Sequence, residues 1–167
     1  LTNLTGLESL TSIEGVLYIT GNNALTNLAA LNALTSVSSV LAIADNGSLT
    51  NLSGLDNLTE VGGDLLIRNN NVLSNLTPFN NLASINGDLE ITGNESLISL
   101  SGLESIINIS GNLLIENDDI LSGLTGLNAL TSIEGDLWIR FNDALTNLTG
   151  LGNLYSVGGE LYIGYNT

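Results

Sequence analysis

A 24-residue repeat runs through the whole chain and restricts what it can fold into. The first repeat reads LTNLTGLESLTSIEGVLYITGNNA, and the seven repeats cover residues 1–24, 25–48, 49–72, 73–96, 97–120, 121–144 and 145–167. Repeat positions 1, 4, 7, 10, 13, 17 and 19 hold Leu, Ile, Val or Phe in all 49 places. A fixed period of this length is typical of solenoids, in which each repeat stacks on its neighbours.

The spacing of the apolar residues predicts the shape of each repeat. Positions 17 and 19 alternate with polar or variable positions, as Leu137 and Ile139 do, which indicates a short strand. Through positions 1, 4, 7, 10 and 13 the spacing is three, which suits 3₁₀ turns better than an α-helix. The expected fold is a repeat solenoid: one parallel sheet of short strands, with 3₁₀ turns such as TGLESL and SGLESI and loops on the back. We expect residues 1–167 to form a single uncapped solenoid.

Position 22 carries a polar residue directly after each strand. It is Asn in six repeats and Asp118 in the fifth. At the exit of a strand such a side chain satisfies backbone groups that the turn leaves unpaired. We interpret this column as a structural ladder.

The charge and the missing residue types exclude several functions. Seventeen acidic residues face only Arg68 and Arg140, for a net charge of −15, and this charge disfavours binding to nucleic acid or to anionic membrane surfaces. No apolar run is long enough for membrane insertion. Without His, Lys or Cys the chain has no base for a nucleophilic triad, no thiolate or imidazole zinc ligands and no disulfides. We expect a protein that is not an enzyme and has no cofactor, with calcium as one open alternative.

The calcium alternative comes from a column of carboxylates at position 23. Glu95, Asp119 and Asp143 occupy that position in three consecutive repeats, and Asp118 adjoins them. Stacked like charges repel, and a Ca²⁺ ion with oxygen ligands would relieve that repulsion. The other interpretation is that they are solvated carboxylates that keep an apolar solenoid soluble.

The outward positions of the last repeats carry most of the aromatic residues. Repeat proteins commonly bind partners on such a surface, and aromatics beside an arginine are typical of binding hot spots. The candidate binding residues on this face are Tyr18, Trp138, Arg140, Phe141, Tyr162 and Tyr165. The alternative is that they are strand-forming residues packed side by side, with Glu116 and Arg140 as a surface ion pair.

The first and last repeats keep the full apolar pattern, and neither has the polar outer face of a capping repeat. Either caps are missing from this sequence, or copies stack end to end in an open head-to-tail array. The partners we expect are therefore further copies of the chain, or another surface protein or a glycan.

The leucines at every third position, followed by the frame Gly-Asp-Leu-x-Ile and Asn, resemble the leucine-rich-repeat superfamily. They look most like the receptor L-domain type of repeat in bacterial surface proteins, and are also similar to internalin repeats. The repeat is longer than in internalins, and the cysteine-bearing flanks of animal receptor L-domains are absent. The resemblance implies an extracellular or cell-surface, right-handed solenoid that binds or scaffolds. Two functions remain open: a scaffold that assembles into a filament or surface array, and the ligand- or adhesion-binding ectodomain of a microbial surface protein.

Overall fold

The computed structural model describes residues 1–166 and confirms the repeat solenoid. Fourteen short strands follow one another along the chain: β1 (Ser12–Ile13), β2 (Leu17–Thr20), β3 (Ser36–Val37), β4 (Leu41–Ala44), β5 (Glu60–Val61), β6 (Leu65–Arg68), β7 (Ser84–Ile85), β8 (Leu89–Thr92), β9 (Asn108–Ile109), β10 (Leu113–Glu116), β11 (Ser132–Ile133), β12 (Leu137–Arg140), β13 (Ser156–Val157) and β14 (Leu161–Gly164). Each repeat contributes one two-residue strand and one four-residue strand.

The strands form two parallel sheets of seven strands each. The four-residue strands make the first, here called the wide sheet, and the two-residue strands make the narrow sheet. Paired strand residues are 24 positions apart, as Leu113 and Leu137 are in the wide sheet and Ser12 and Ser36 in the narrow sheet. One repeat is therefore one turn of the solenoid, and equivalent side chains stack in columns.

The narrow sheet is a feature that the sequence did not predict. At position 13 the side chain enters the core while the backbone stays extended enough to bond to the next repeat, and the Ser38 amide donates to the Ile13 carbonyl at 2.8 Å. Because a buried backbone group needs a partner, stacking in register pairs these groups along the back as well as along the front.

The 3₁₀ turns are fewer than the spacing predicts. Within residues 1–166 they occur only at Ala29–Leu31 and Thr77–Phe79. Position 6 explains which repeats have them. It is Ala30 or Pro78 in these two repeats, whereas in the other five it is a glycine with φ between +108° and +118°. Alanine and proline disfavour positive φ and therefore keep the negative φ of a 3₁₀ turn. Glycine adopts the positive φ freely, and the backbone then forms a plain turn. The segments TGLESL and SGLESI contain that glycine and form plain turns, so the prediction for them was wrong.

The core is one continuous apolar cluster that runs through the solenoid. In repeats 2 to 6 the side chains at all seven predicted core positions are at most 1% exposed. In the outermost repeats most of these positions are only partly buried or exposed, with Leu161 58% and Ile163 47% exposed, while Ile19 and Leu145 stay buried.

A column of polar residues, the asparagine ladder, lies where the wide-sheet strands end, and its five inner members are buried. Its members are Asn22, Asn46, Asn70, Asn94, Asp118, Asn142 and Asn166. The Nδ2 of Asn70 donates to the carbonyl of Ile43 at 2.9 Å, and its Oδ1 accepts from the amide of Asn46 at 3.2 Å. The ladder thus satisfies buried backbone groups, as the sequence indicated.

Candidate functional site

Five of the six candidate binding residues lie together at one end of the wide sheet. β12 and β14 are neighbours, and their register places Trp138 beside Tyr162 and Arg140 beside Gly164. Phe141 and Tyr165 follow directly after these strands. We call these five residues, Trp138, Arg140, Phe141, Tyr162 and Tyr165, the outer cluster. Tyr18 is exposed on β2, the strand at the opposite edge of the same sheet, and does not join them.

Arg140 is held at the centre of the outer cluster by an ion pair and two rings. Its Nε donates to Glu116 Oε2 at 3.0 Å, and its Nη2 lies 2.9 Å from the same oxygen. The guanidinium carbon lies 5.5 Å from the centroid of the Trp138 ring and 5.9 Å from that of Phe141. These distances fit cation–π contacts, which together with the ion pair restrict the rotamers of Arg140.

Phe141 and Tyr165 form a parallel stacked pair directly after β12 and β14, the last two strands of the wide sheet. Their ring centroids are 4.8 Å apart and the ring planes differ by 2°. Both residues have φ of +56°, in the left-handed region. That conformation favours Gly, Asn and Asp, and is unusual for a bulky side chain.

The same position in the other repeats holds the residue types that this backbone prefers. They are Gly21, Asp45, Asn69, Gly93 and Asn117, all with positive φ. The sequence showed this preference at position 21, but reasoning from the sequence missed the strain it implies for the two aromatics. Within the described repeats, only the two that build the outer cluster carry an aromatic side chain there.

Trp138 contributes a hydrogen-bond donor that no protein group uses. It stands between Leu114 and Tyr162 in the register of the wide sheet and is half-buried. Its Nε1 is buried and has no hydrogen-bond partner within residues 1–166. Desolvation raises the pKa of Tyr162 above its ordinary value, and Tyr165 beside it shifts the pKa the same way, so its hydroxyl stays neutral at physiological pH.

A second ion pair elsewhere on the sheet shows which part of the outer cluster is distinctive. Arg68 on β6 pairs with Glu90 on β8. The residue two before Arg68 is Leu66 and the residue after it is Asn69, where the cluster has a tryptophan and a phenylalanine. The aromatic residues, rather than the arginine–glutamate pair, therefore set this surface apart.

The four candidate calcium ligands do not meet at one point. Asp118 is fully buried in the asparagine ladder, whereas Glu95, Asp119 and Asp143 are exposed. Glu95 accepts a hydrogen bond from the Nδ2 of Asn71 at 2.9 Å. In the part of the chain that the structure describes, no group of three or more His, Cys, Asp or Glu residues is placed to hold a metal ion.

A separate column of carboxylates, at position 16, has a structural role. The Oδ1 of Asp64 accepts the amide hydrogen of Asp88 at 2.9 Å, and the Oδ1 of Asp88 accepts that of Asn112 at 2.7 Å. Each side chain lies over the glycine at position 15 of the next repeat, where a Cβ would overlap it, as at Gly87. Position 15 is a glycine in every repeat except the second, where it is Ser39. The repeat before Ser39 has Val16 at position 16, so no carboxylate lies over the serine there.

Comparison with known proteins gives one match. Residues 35–98 match the family model of the receptor L domain. Neither the comparison with curated proteins nor that with solved structures finds a match. The match and the fold fit a repeat protein like the receptor L domain and the leucine-rich repeats, which are non-catalytic kinds of domain. The matched segment ends before the outer cluster. Among the described residues, no helix is long and apolar enough to cross a membrane.

Proposed function

We propose that this receptor-L-domain-like solenoid is a non-catalytic, extracellular recognition module that binds a protein partner through the outer cluster. The observation that carries the proposal is the pair of aromatic side chains in left-handed backbone conformations, Phe141 and Tyr165. Each left-handed non-glycine residue costs about 1 to 2 kcal/mol. Strain of this kind is concentrated at functional sites.

The surroundings of the pair have the composition of a binding hot spot. Tryptophan, tyrosine and arginine dominate such sites, and the cluster combines all three around an ion pair that holds the arginine in place. Phe141 is 38% and Tyr165 67% exposed, so the cluster presents apolar ring surface to solvent. The half-buried ring of Trp138 stands beside Tyr162 in the register of the wide sheet and extends this apolar surface.

The test uses the fact that Trp138 is the sole tryptophan of the chain. A phage-displayed peptide library is panned against the immobilised solenoid, and the selected peptides are titrated while tryptophan fluorescence is recorded. We expect the emission to change on binding. Phe141→Asn, which keeps a residue suited to positive φ, should weaken binding at least about tenfold.

Tyr155→Asn is the matched control, because Tyr155 is 80% exposed and lies outside the outer cluster. It should leave the affinity unchanged. Equal losses in the two variants, peptides that leave the tryptophan emission unaltered, or a panel that yields no binder would each contradict the proposal. Selective binding to an oligosaccharide array instead would refute the protein partner and transfer the site to glycans.

A second candidate function is structural: end-to-end association of copies into a filament or surface array. The observation in its favour is β14, the edge strand of the wide sheet, whose core-facing Leu161 and Ile163 are about half exposed. A second copy whose first repeat adopts the 24-residue register would cover these side chains and extend both sheets.

Light scattering of the purified chain over a range of concentrations tests this association. The mean mass should rise with concentration, and Ile163→Lys should abolish the rise. Ile98→Lys is the control, since Ile98 is 56% exposed on the flank of the solenoid. A mass that stays at one chain at every concentration would exclude end-to-end association.

A further inference from the structure

One member of the asparagine ladder is a carboxyl group, and its place in the ladder calls for a donor. In the repeats on either side of it, the side-chain Nδ2 of Asn94 donates to the Ile67 carbonyl at 3.0 Å, and the Nδ2 of Asn142 donates to the Ile115 carbonyl at 3.1 Å. The side-chain amides of the buried ladder asparagines also reach the Oδ1 of the next ladder residue, as Asn142 Nδ2 does with Asn166 at 3.1 Å. The ladder thus needs one N–H donor per repeat pointing at two acceptors.

Asp118 meets only half of this requirement. Its Oδ1 accepts from the backbone amide of Asn94 at 2.8 Å and from the Nδ2 of Asn94 at 3.3 Å, as an asparagine would. Its Oδ2 is buried and has no hydrogen-bond partner in the described part of the chain. By analogy with Asn94, whose Nδ2 donates to the carbonyl of Ile67 and to the Oδ1 of the next ladder residue, an asparagine here would donate to the Ile91 carbonyl and to the Oδ1 of Asn142, and both are acceptors.

We propose that Asp118 is a neutral carboxylic acid in the folded solenoid, with its Oδ2–H taking the place of the missing amide donor. Its ionisation then places a charged oxygen against two acceptors in the core. The fifth repeat is therefore a built-in pH sensor, and the solenoid is more stable in mild acid than above neutral pH.

The charges around Asp118 act in the same direction. Asp119 adjoins it in the turn, and Glu95 and Asp143 occupy the same turn of the neighbouring repeats. The arginine of that region, Arg140, is paired with Glu116 on the outer face of the sheet. Among the described residues, the one positive charge bonded to the ladder is the N-terminal amine of Leu1, which contacts Asn22 four repeats away from Asp118.

Burial raises the pKa of Asp118 from 3.8 to about 7, against the opposing effect of the hydrogen bonds from Asn94. Between these two values the folded chain holds a proton that the unfolded chain has released. The contribution of Asp118 to stability therefore falls as the pH rises through this window, and this contribution stops changing above about pH 7. The corresponding change in the unfolding equilibrium constant is on the order of 10³-fold.

The test compares urea unfolding of the wild type and Asp118→Asn at closely spaced pH values from 4 to 8. Asp118→Asn restores the ladder amide, so it should unfold with a midpoint that depends less on pH, and should be the more stable protein at pH 8. Asp119→Asn, which removes an exposed neighbouring carboxylate, should keep most of the pH dependence of the wild type. Asn94→Asp places a second acid in the ladder and should steepen the dependence.

The protonation state can also be observed directly in the wild-type protein. The carboxyl carbon of Asp118, labelled with ¹³C, should titrate near neutral pH by NMR. Titration near pH 4, or an Asp118→Asn variant with the same pH dependence as the wild type, would overturn the proposal. Either result leaves the outer cluster and its binding test unaffected.

Discussion

Replacing Asn70 by alanine isolates what the asparagine ladder contributes to the stability of the solenoid. Asn70 is fully buried in the third repeat. Its Nδ2 donates to the Ile43 carbonyl at 2.9 Å and to Asn94 Oδ1 at 3.4 Å, and its Oδ1 accepts the backbone amide of Asn46 at 3.2 Å. Alanine removes all of these hydrogen bonds and leaves the amide of Asn46 without a partner, while the carbonyl of Ile43 keeps its bond within the wide sheet.

Each buried backbone group that loses its partner costs about 1 to 3 kcal/mol. The orphaned amide of Asn46, together with the lost hydrogen bond to Ile43 at about 0.5 to 1.5 kcal/mol, predicts that Asn70→Ala lowers the free energy of unfolding by about 1.5 to 4.5 kcal/mol. The matched control is Asn71→Ala. Asn71 is the next residue, is exposed, and makes one side-chain hydrogen bond, to Glu95. Because water replaces that bond, the control should change stability by no more than about 0.5 kcal/mol.

Urea unfolding followed by circular dichroism measures both variants under one set of conditions, at a pH where Asp118 is neutral. If the asparagine ladder stabilises the fold, Asn70→Ala lowers the urea concentration at the unfolding midpoint strongly, and Asn71→Ala hardly changes it. Equal midpoints for the two variants would refute the view that the ladder is a principal source of stability, and would attribute the column to repeat sequence alone.

Two further predictions concern the turns. Gly126→Ala should destabilise the solenoid by more than about 2 kcal/mol, because the φ of Gly126 is +117° and a Cβ there would overlap the Leu100 carbonyl. The control Gly123→Ala, which has open space around the added Cβ, should change stability by no more than about 0.5 kcal/mol, and thermal melts compare the two variants. The melting temperature should be the same in calcium and in a chelator, since among the described residues Glu95 and Asp119 belong to no group that could hold a metal ion. A higher melting temperature in calcium would support the metal site after all.

The core and the register could be predicted from the sequence because they depend on local periodicity. Each core position repeats at a fixed interval, so Leu113 over Leu137 follows once the period is known. The 3₁₀ turns could not be placed by spacing alone. The deciding factor is one residue per repeat, at position 6. Repeats with Ala30 or Pro78 there form a 3₁₀ turn, and repeats with a positive-φ glycine there form a plain turn. The narrow sheet was missed because its two-residue strands carry no alternating pattern.

The candidate site was predictable only in part, for a related reason. Stacking in register places Trp138, Arg140 and Tyr162 on one face, and the ion pair of Arg140 with Glu116 follows from the same register. The backbone strain at Phe141 does not follow from its own residue type, and the column of Gly, Asn and Asp at that position was its signal. Asp118 was grouped with exposed carboxylates, although its ladder position indicated that its side chain points inward.

The energetics of Phe141 and Tyr165 separate them from an aromatic residue that serves the fold. Phe79 occupies a core position, is fully buried, and contributes through the apolar area it removes from water. For Phe141 and Tyr165, a stacking contact of about 0.5 to 1.5 kcal/mol is set against two left-handed backbone conformations of about 1 to 2 kcal/mol each. The partial burial of Phe141 offsets some of the remainder, so the pair is close to neutral for stability. Gly or Asn would build the same turn without strain, and folding alone therefore gives no reason for two rings at this edge of the sheet.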